Sequence, residues 1–306
     1  MRQILNIHAP SLFLTALGSI CLMAEEPGNK KYLIIHADDA GMSHSVNRAT
    51  IEAMENGLVS SASIMVPCSW FSEFAEYARE HPAMDFGVHL TLNSEWSHYR
   101  WGPVAPREQV SSLIDEDGYL WDNVAQVAAH VKADEVEIEL RAQIERARQF
   151  GVPLSHLDTH MGALFSREDL VEVYLRLGIE YDLPVLFIRD AARLLAKEYP
   201  ALADKAEDIV RRLDQHQLLV LDHVVQYYDG NVHEERKKIY LEALGDLESG
   251  VSEFLVHCGY DDEELRGITN SSGLRDSDRQ VFTDPRIAAQ IDRLGIEVTN
   301  WRRLRE

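Results

Sequence analysis

Two aspartates in a row close an apolar run, Ile34-Ile35-His36-Ala37-Asp38-Asp39-Ala40-Gly41, where a buried strand should turn into a loop. The ends of parallel strands are where α/β enzymes gather their catalytic groups. Two further segments have the same shape, Phe86-Gly87-Val88-His89-Leu90 and Leu154-Ser155-His156-Leu157-Asp158-Thr159-His160. Each is a short apolar or alternating run with histidine at or near its end. Carboxylate oxygens and imidazole nitrogens from three strand ends are a ligand mix that holds Zn²⁺ or a similar divalent cation with one position left for water. Taken singly, each signal has an ordinary explanation: Asp39 could cap the helix that follows, and His89 could be a hydrogen-bonded core residue. Three such ends in one chain point instead to metal-dependent hydrolysis.

Strand alternation sharpens the third motif, because His156, Asp158 and His160 share parity and face one way if the strand extends that far. An imidazole that binds a metal through one nitrogen needs an acceptor for the other. Asp158 suits that supporting role, and His156 falls in the same group. Adjacent Asp38 and Asp39 should point apart, so that one binds the metal while the other holds a water as base.

Bringing these ends together requires a scaffold of βα units, and the apolar pattern supplies one. Strands are expected near residues 32–37, 62–66, 86–90, 155–158, 185–188, 218–221, 253–256 and 297–299. Helices are expected over 46–56, 70–80, 133–150, 167–177, 194–213, 234–247 and 285–294. Eight strands alternating with helices suggest a (β/α) barrel, irregular and single-domain, over residues 25–306. Asp284 and Pro285 fit the cap and first position of the last helix, while Gly151 and Gly295 sit just past helix ends. One connection breaks the rhythm. Residues 93–132 form a long insertion containing Trp96, Tyr99, Trp101, Tyr119 and Trp121. It reads as a lid or substrate wall, with Trp96 and Trp101 as rings that could stack on a sugar; packing of the insertion on the barrel is the alternative.

The chain has 306 residues and a formal net charge of −21, with 51 acidic against 30 basic side chains. That balance opposes binding to nucleic acid or an anionic membrane. Residues 1–24 begin with Arg2 and an apolar stretch ending at Ala24, ahead of Glu25-Glu26-Pro27-Gly28, and read as a signal peptide. Secretion or a periplasmic location is therefore expected, or a cytoplasmic one if the start codon is misplaced. No later run reaches the ~20 apolar residues of a membrane span. Only Cys68 and Cys258 would remain after cleavage, too few for a disulfide scaffold, and buried free thiols are expected. The oligomeric state is open, a homo-oligomer included.

The segments Ala37-Asp38-Asp39-Ala40-Gly41, Gly87-Val88-His89-Leu90 and Ser155-His156-Leu157-Asp158-Thr159-His160 resemble the YdjC-like family of carbohydrate deacetylases, which includes chitooligosaccharide and hopanoid-pathway enzymes. The likeness runs in order over residues 32–301. It takes in Glu52-Ala53-Met54-Glu55-Asn56-Gly57-Leu58-Val59-Ser60-Ser61-Ala62-Ser63 and the late Phe254-Leu255-Val256-His257. The resemblance implies an often irregular (β/α) barrel related in chemistry to polysaccharide deacetylases. It implies that Asp39, His89 and His160 bind one divalent metal, Mg²⁺ or Zn²⁺, and that Asp38 is the general base. His257 would stand near the leaving group or substrate, and Arg189, just past strand 185–188, would hold substrate or orient the base. Three positions depart from the family pattern: Ala40 replaces a usual phenylalanine, Met161-Gly162-Ala163 replaces further histidines, and Cys258 replaces a proline. The metal triad survives these changes, but the substrate pocket should differ.

The expected activity is removal of an N-acetyl group from an amino sugar or chitooligosaccharide-like substrate. The metal would polarise the amide carbonyl and acidify a water, Asp38 would take its proton, and His257 would stabilise or protonate the intermediate. Other metal-dependent barrel hydrolases are a rival reading, but amidohydrolases need His-x-His where this chain has His36-Ala37-Asp38. A glycosidase would need the carboxylates and not the histidines, so sensitivity to chelators separates it. A non-catalytic sugar-binding protein would have no use for an intact Asp38 beside an intact triad.

Overall fold

The computed structural model describes residues 30–192, 200–230 and 232–305, so the leader expected at 1–24 lies outside the described residues. Among the described residues seven parallel strands form the sheet: β1 Lys31–Ala40, β2 Ser61–Ile64, β3 Phe86–Leu90, β4 Leu154–Thr159, β5 His223–Gln226, β6 Gly250–Val256 and β7 Ile296–Thr299. Their order is β4-β3-β2-β1-β6-β5, with β7 paired to the first residues of β1. Leu33, Ile34, Ile35 and Ala37 of β1 are wholly buried, as a parallel strand covered by helices requires, and His36 is buried among them.

The gap between β4 and β5 is spanned by residues 185–188, through single bridges from Val185 to Leu157 and from Ile188 to Leu221. The sheet thus curls into an irregular barrel whose seam is stitched rather than laddered. The strand expected at 218–221 is displaced. Those residues are apolar and buried at Leu218, Val220 and Leu221, which is what attracts a strand assignment, but the ladder with β6 begins at His223. β5 is only half-buried because Val224 and Gln226 face a cavity.

Helices pack outside the strands: α1 His44–Asn56, α2 Phe71–Glu80, α3 Val124–His130, α4 Ala133–Gln149, α5 Glu168–Tyr181, α6 Ala206–Gln215, α7 His233–Asp246, α8 Glu263–Ile268, α9 Ser272–Phe282 and α10 Pro285–Arg293. Of the helix expected over 194–213, residues 194–199 lie outside the described residues; the remainder is a single turn at Pro200–Ala203 followed by α6. Ser43, not Asp39, caps α1 by accepting from the Val46 N–H, which frees Asp39 for other work. Asp284 caps α10 with Pro285 in its first turn, and Gly151 and Gly295 take left-handed φ of 83° and 65° past the ends of α4 and α10. The pattern gave no warning of α3, α8 or α9. In α9 the apolar spacing is there at Leu274, Val281 and Phe282, diluted by serine, arginine and aspartate. Cys68 and Cys258 are both buried free thiols.

The insertion 93–132 folds onto the barrel through short 3₁₀ turns, α3 and the bridges Asn93–Trp121 and Ile114–Leu120. Two polar residues on the buried stripe of α4 hold it. Gln143 accepts from the Thr91 N–H at 3.0 Å and donates to the Thr91 carbonyl at 2.8 Å. Glu139 accepts from the backbone N–H groups of Val104 and Ala105 at 2.9 and 2.8 Å. These side chains satisfy loop backbone as a neighbouring strand would.

Candidate metal centre and active site

β1 ends in a bulge: its register against β2 shifts between Ala37 and Ala40, and Asp39 takes a left-handed φ of 68°. The bulge cancels the alternation expected of neighbours, so Asp38 and Asp39 do not diverge onto opposite faces but line the same cavity. The strand of the third motif stops at Thr159, and His160 opens the 3₁₀ turn His160–Ser166.

Three donors converge there. Asp39 Oδ1 lies 3.4 Å from His89 Nε2 and 3.3 Å from His160 Nδ1, and the two nitrogens are 3.2 Å apart. Ligands about 2.1 Å from one ion at tetrahedral angles stand about 3.4 Å from each other, so these atoms fit a shared cation. Asp39 Oδ1 is buried with no hydrogen-bond partner among the described residues, so it is an acceptor available to such a cation. The remaining polar atoms of each ligand are engaged elsewhere: His89 Nδ1 with Asp158 Oδ1 at 2.7 Å, His160 Nε2 with Glu95 at 3.1 Å, and Asp39 Oδ2 with Arg275 Nη2 at 2.7 Å. Two other groupings, His36 with His156 and Asp158, and Asp38 with His89 and Asp158, also bring metal-competent atoms together. Both rely on Asp158, whose oxygens are already committed to His36 and His89.

The charges agree with this division. Burial works against ionisation of Asp39, but Arg275 and the two imidazoles outweigh it and hold the carboxyl well below its usual range. Burial likewise opposes charge on His89, yet Asp158 and Asp38 hold its pKa well above the ordinary value. His160 is pushed up to about 9, against burial, by Glu95 and Asp39. A cation must displace protons from these rings, so its binding should strengthen as pH rises.

Beneath the triad His36 joins the second aspartate to the barrel interior. Its Nε2 lies 3.0 Å from Asp158 Oδ2 and 3.2 Å from Asp38 Oδ1, and its Nδ1 is 2.9 Å from Ser61 Oγ. Despite burial, Glu253, Asp158 and Asp38 raise its pKa well above the ordinary value, so the ring carries charge between acids. His156 sits a layer deeper and does not line the cavity. It stacks on Trp301 with ring centroids 5.1 Å apart and bonds Ser155 Oγ at 2.9 Å. Burial and then His36 lower its pKa well below the ordinary value. Its ring fits only because residue 87 is glycine, where a Cβ would come within 2.4 Å of His156 Nε2.

The cavity above has a volume of about 690 Å³. His257, just past β6, places Nε2 3.8 Å from Asp38 Oδ2, on the open side of that carboxylate. Its backbone N–H donates to Asp278 Oδ2 at 3.0 Å, and Asp278 is paired with the buried guanidinium of Arg236 at 2.6 Å. Burial and Arg275 lower the His257 pKa, keeping the ring neutral. Trp96 lines the cavity, whereas Trp101 does not: it is buried against Trp96 and the ring of His160, with centroids 5.4 and 6.4 Å away. Phe165, Phe187 and Leu255 supply an apolar wall.

Arg189 is not brought into the site. It follows the stitched segment 185–188, is largely exposed, and is held at the surface by Asp214 through two 3.0 Å hydrogen bonds. The guanidinium in the cavity belongs to Arg275, on the unforeseen α9. Glu95, at His160, and His36, between Asp38 and Asp158, are further residues that the sequence did not single out for the site. Among 51 acidic side chains nothing in its spacing marks Glu95, whereas Arg275 could have been found from the helical repeat of Leu274, Val281 and Phe282.

Comparison with known proteins agrees with this geometry. Residues 32–293 match the family model described as YdjC-like protein. A carbohydrate deacetylase of Thermus thermophilus is 34% identical over 91% of this chain and 96% of its own. One from Thermoanaerobacter pseudethanolicus is 30% identical over 89% of this chain and 98% of its own. A crystal structure from Enterococcus faecalis V583, assigned provisionally to cellobiose-phosphate cleavage, superposes with a TM-score of 0.73 at 27% identity, covering 90% of this chain and 99% of that one. On this match along nearly its whole described length, the chain belongs to the YdjC-like family.

Proposed function

We propose that the protein is a metal-dependent hydrolase that removes the acetyl group from an N-acetylated carbohydrate, an amino sugar or short chitooligosaccharide-like chain. The observation that carries this reading is the convergence of Asp39, His89 and His160 on one point, beside Asp38 and His257, within a single cavity. The naming of the Thermus and Thermoanaerobacter relatives as carbohydrate deacetylases supports it. Two imidazoles and one carboxylate favour Zn²⁺ over Mg²⁺, which prefers oxygen donors and retained water.

A divalent ion held by the three donors would supply Lewis acidity, polarising the acetyl carbonyl and acidifying a water. The rest falls to the protein. The charged ring of His36 and the bulge of β1 hold the Asp38 carboxylate in place to take the proton of the attacking water. His257, a neutral ring with Nε2 3.8 Å from Asp38 Oδ2, takes up the proton that Asp38 has removed from the water and passes it to the departing nitrogen. The apolar wall limits competing water, and Trp96 offers a ring face for a sugar. The insertion 93–132 thereby forms part of the substrate wall. The leader-like residues 1–24 support export.

Acetate release tests the reading. The protein, with Zn²⁺ or Mg²⁺ supplied or chelated, is assayed on N-acetylglucosamine, chitooligosaccharides and other acetylated sugars. Metal-dependent acetate is expected from at least one, and Asp38→Asn should keep its metal while losing about 10² to 10⁴ in rate. A metal-loaded protein that releases no acetate across the panel refutes the deacetylase reading, and a near-normal rate in Asp38→Asn removes Asp38 as base.

A further inference from the structure

We propose that Glu95, supplied by the insertion, is a positioning residue that sets how tightly the metal centre holds its ion by fixing the ring of His160. This rests on the ligand set proposed above. Two of the three donors are oriented by the barrel and its helices: Asp158 of β4 engages His89, and Arg275 of α9 engages Asp39. His160 differs. It lies past the end of β4, ahead of Met161 and Gly162 in left-handed backbone at φ 51° and 63°, so no ladder fixes its ring.

The partners of that ring come from the insertion. Both carboxylate oxygens of Glu95 lie 3.1 Å from His160 Nε2, and Trp101 meets the ring at 65°. The stretch carrying Glu95 is itself anchored. Asn93 Nδ2 donates to Glu95 Oε2 at 3.1 Å, the Ser94 N–H donates to the Trp121 carbonyl at 2.8 Å, and Ser94 Oγ accepts from the Trp101 N–H at 2.9 Å. Upstream, Gln143 clamps Thr91 from both sides. A fixed carboxylate at Nε2 keeps the hydrogen on that nitrogen, leaves Nδ1 as the donor aimed at Asp39 and His89, and raises its basicity. β3 and the segment that follows it thus supply His89 as a ligand and Glu95 as the support of another.

The test titrates Zn²⁺ into metal-free wild type, Glu95→Gln, Glu95→Ala and His160→Ala against a chromophoric chelator, with melting temperatures of the metal-free proteins measured alongside. Loss of such a support typically weakens metal binding 10- to 100-fold. Glu95→Gln, which can still accept from Nε2 but carries no charge, should fall about 10-fold, and Glu95→Ala about 100-fold, both with melting temperatures near wild type. Wild-type affinity in a folded Glu95→Ala protein overturns the proposal. If that variant does not fold, wild-type affinity in the isosteric Glu95→Gln overturns it instead. Should His160→Ala bind Zn²⁺ as tightly as wild type, the ligand set is wrong and the proposal falls with it; loss in His160→Ala alone removes only the role of Glu95.

Discussion

Trp96 and Trp101 stand in one short stretch and carry the same ring, yet they face different surroundings. Trp96 is only partly buried and borders the cavity, with the Arg275 guanidinium 6.0 Å from its ring centroid. Trp101 is 5% exposed, and its indole Nε1 has no hydrogen-bond partner among the described residues, so it acts as apolar bulk behind Trp96 and His160. Trp96→Ala should therefore raise KM on an oligosaccharide more than it lowers kcat, with melting temperature little changed. Trp101→Ala should cost about 3–5 kcal/mol of stability, and Trp101→Phe much less, because no hydrogen bond is lost. Steady-state kinetics and urea unfolding on the same three variants check this; a KM effect confined to Trp101→Ala would reverse the assignment.

Helix α9 does more for the site than its polar sequence suggests. Arg275 in its first half holds Asp39, and Asp278 farther along holds both the backbone of His257 and the guanidinium of Arg236. Arg236 and Asp278 are both fully buried. Removing one member leaves an uncompensated charge in the interior, so Asp278→Ala should destabilise by about 3–5 kcal/mol. Pairing it with Arg236→Met removes that charge, and the double variant should be more stable than Asp278→Ala alone. Denaturant unfolding of the two singles and the double measures the coupling; strictly additive losses would mean the pair contributes nothing as a pair.

Across the whole molecule the insertion and barrel are joined through α4, and Glu139 makes that joint sensitive to pH. Burial pushes its carboxyl up to about 7 despite the hydrogen bonds from Val104, Ala105 and Gln143. A carboxyl whose folded pKa lies above its unfolded value binds its proton more tightly when folded. Its contribution is therefore complete below about pH 4.5 and is lost as pH rises through about 7. The loss amounts to about 3 kcal/mol at most. Glu139→Gln cannot titrate, so its unfolding free energy should fall less than that of wild type between pH 4.5 and 8. Parallel pH profiles for the two proteins in urea would show that Glu139 does not carry this dependence.

Local chemistry made much of the molecule legible in advance. Apolar runs ending in aspartate or histidine placed β1, β3 and β4 and their donors, because burial on both faces and the strand-to-loop switch are written in adjacent residues. Asp284, Pro285, Gly151 and Gly295 marked helix ends for equally local reasons. Tertiary structure decided the rest. Asp38 and Asp39 face one cavity because a bulge against β2 overrides strand parity. Arg275 rather than Arg189 enters the site because α9, packed against α1 and α7, sets its guanidinium on Asp39 while Asp214 holds Arg189 outside. Glu95 reaches His160 across 65 residues of chain, and Trp101 turns inward, through contacts that no neighbouring residue announces. Sequence by itself determined which groups could bind a metal; the packing of distant segments determined which of them meet, since that depends on a fold no single stretch contains.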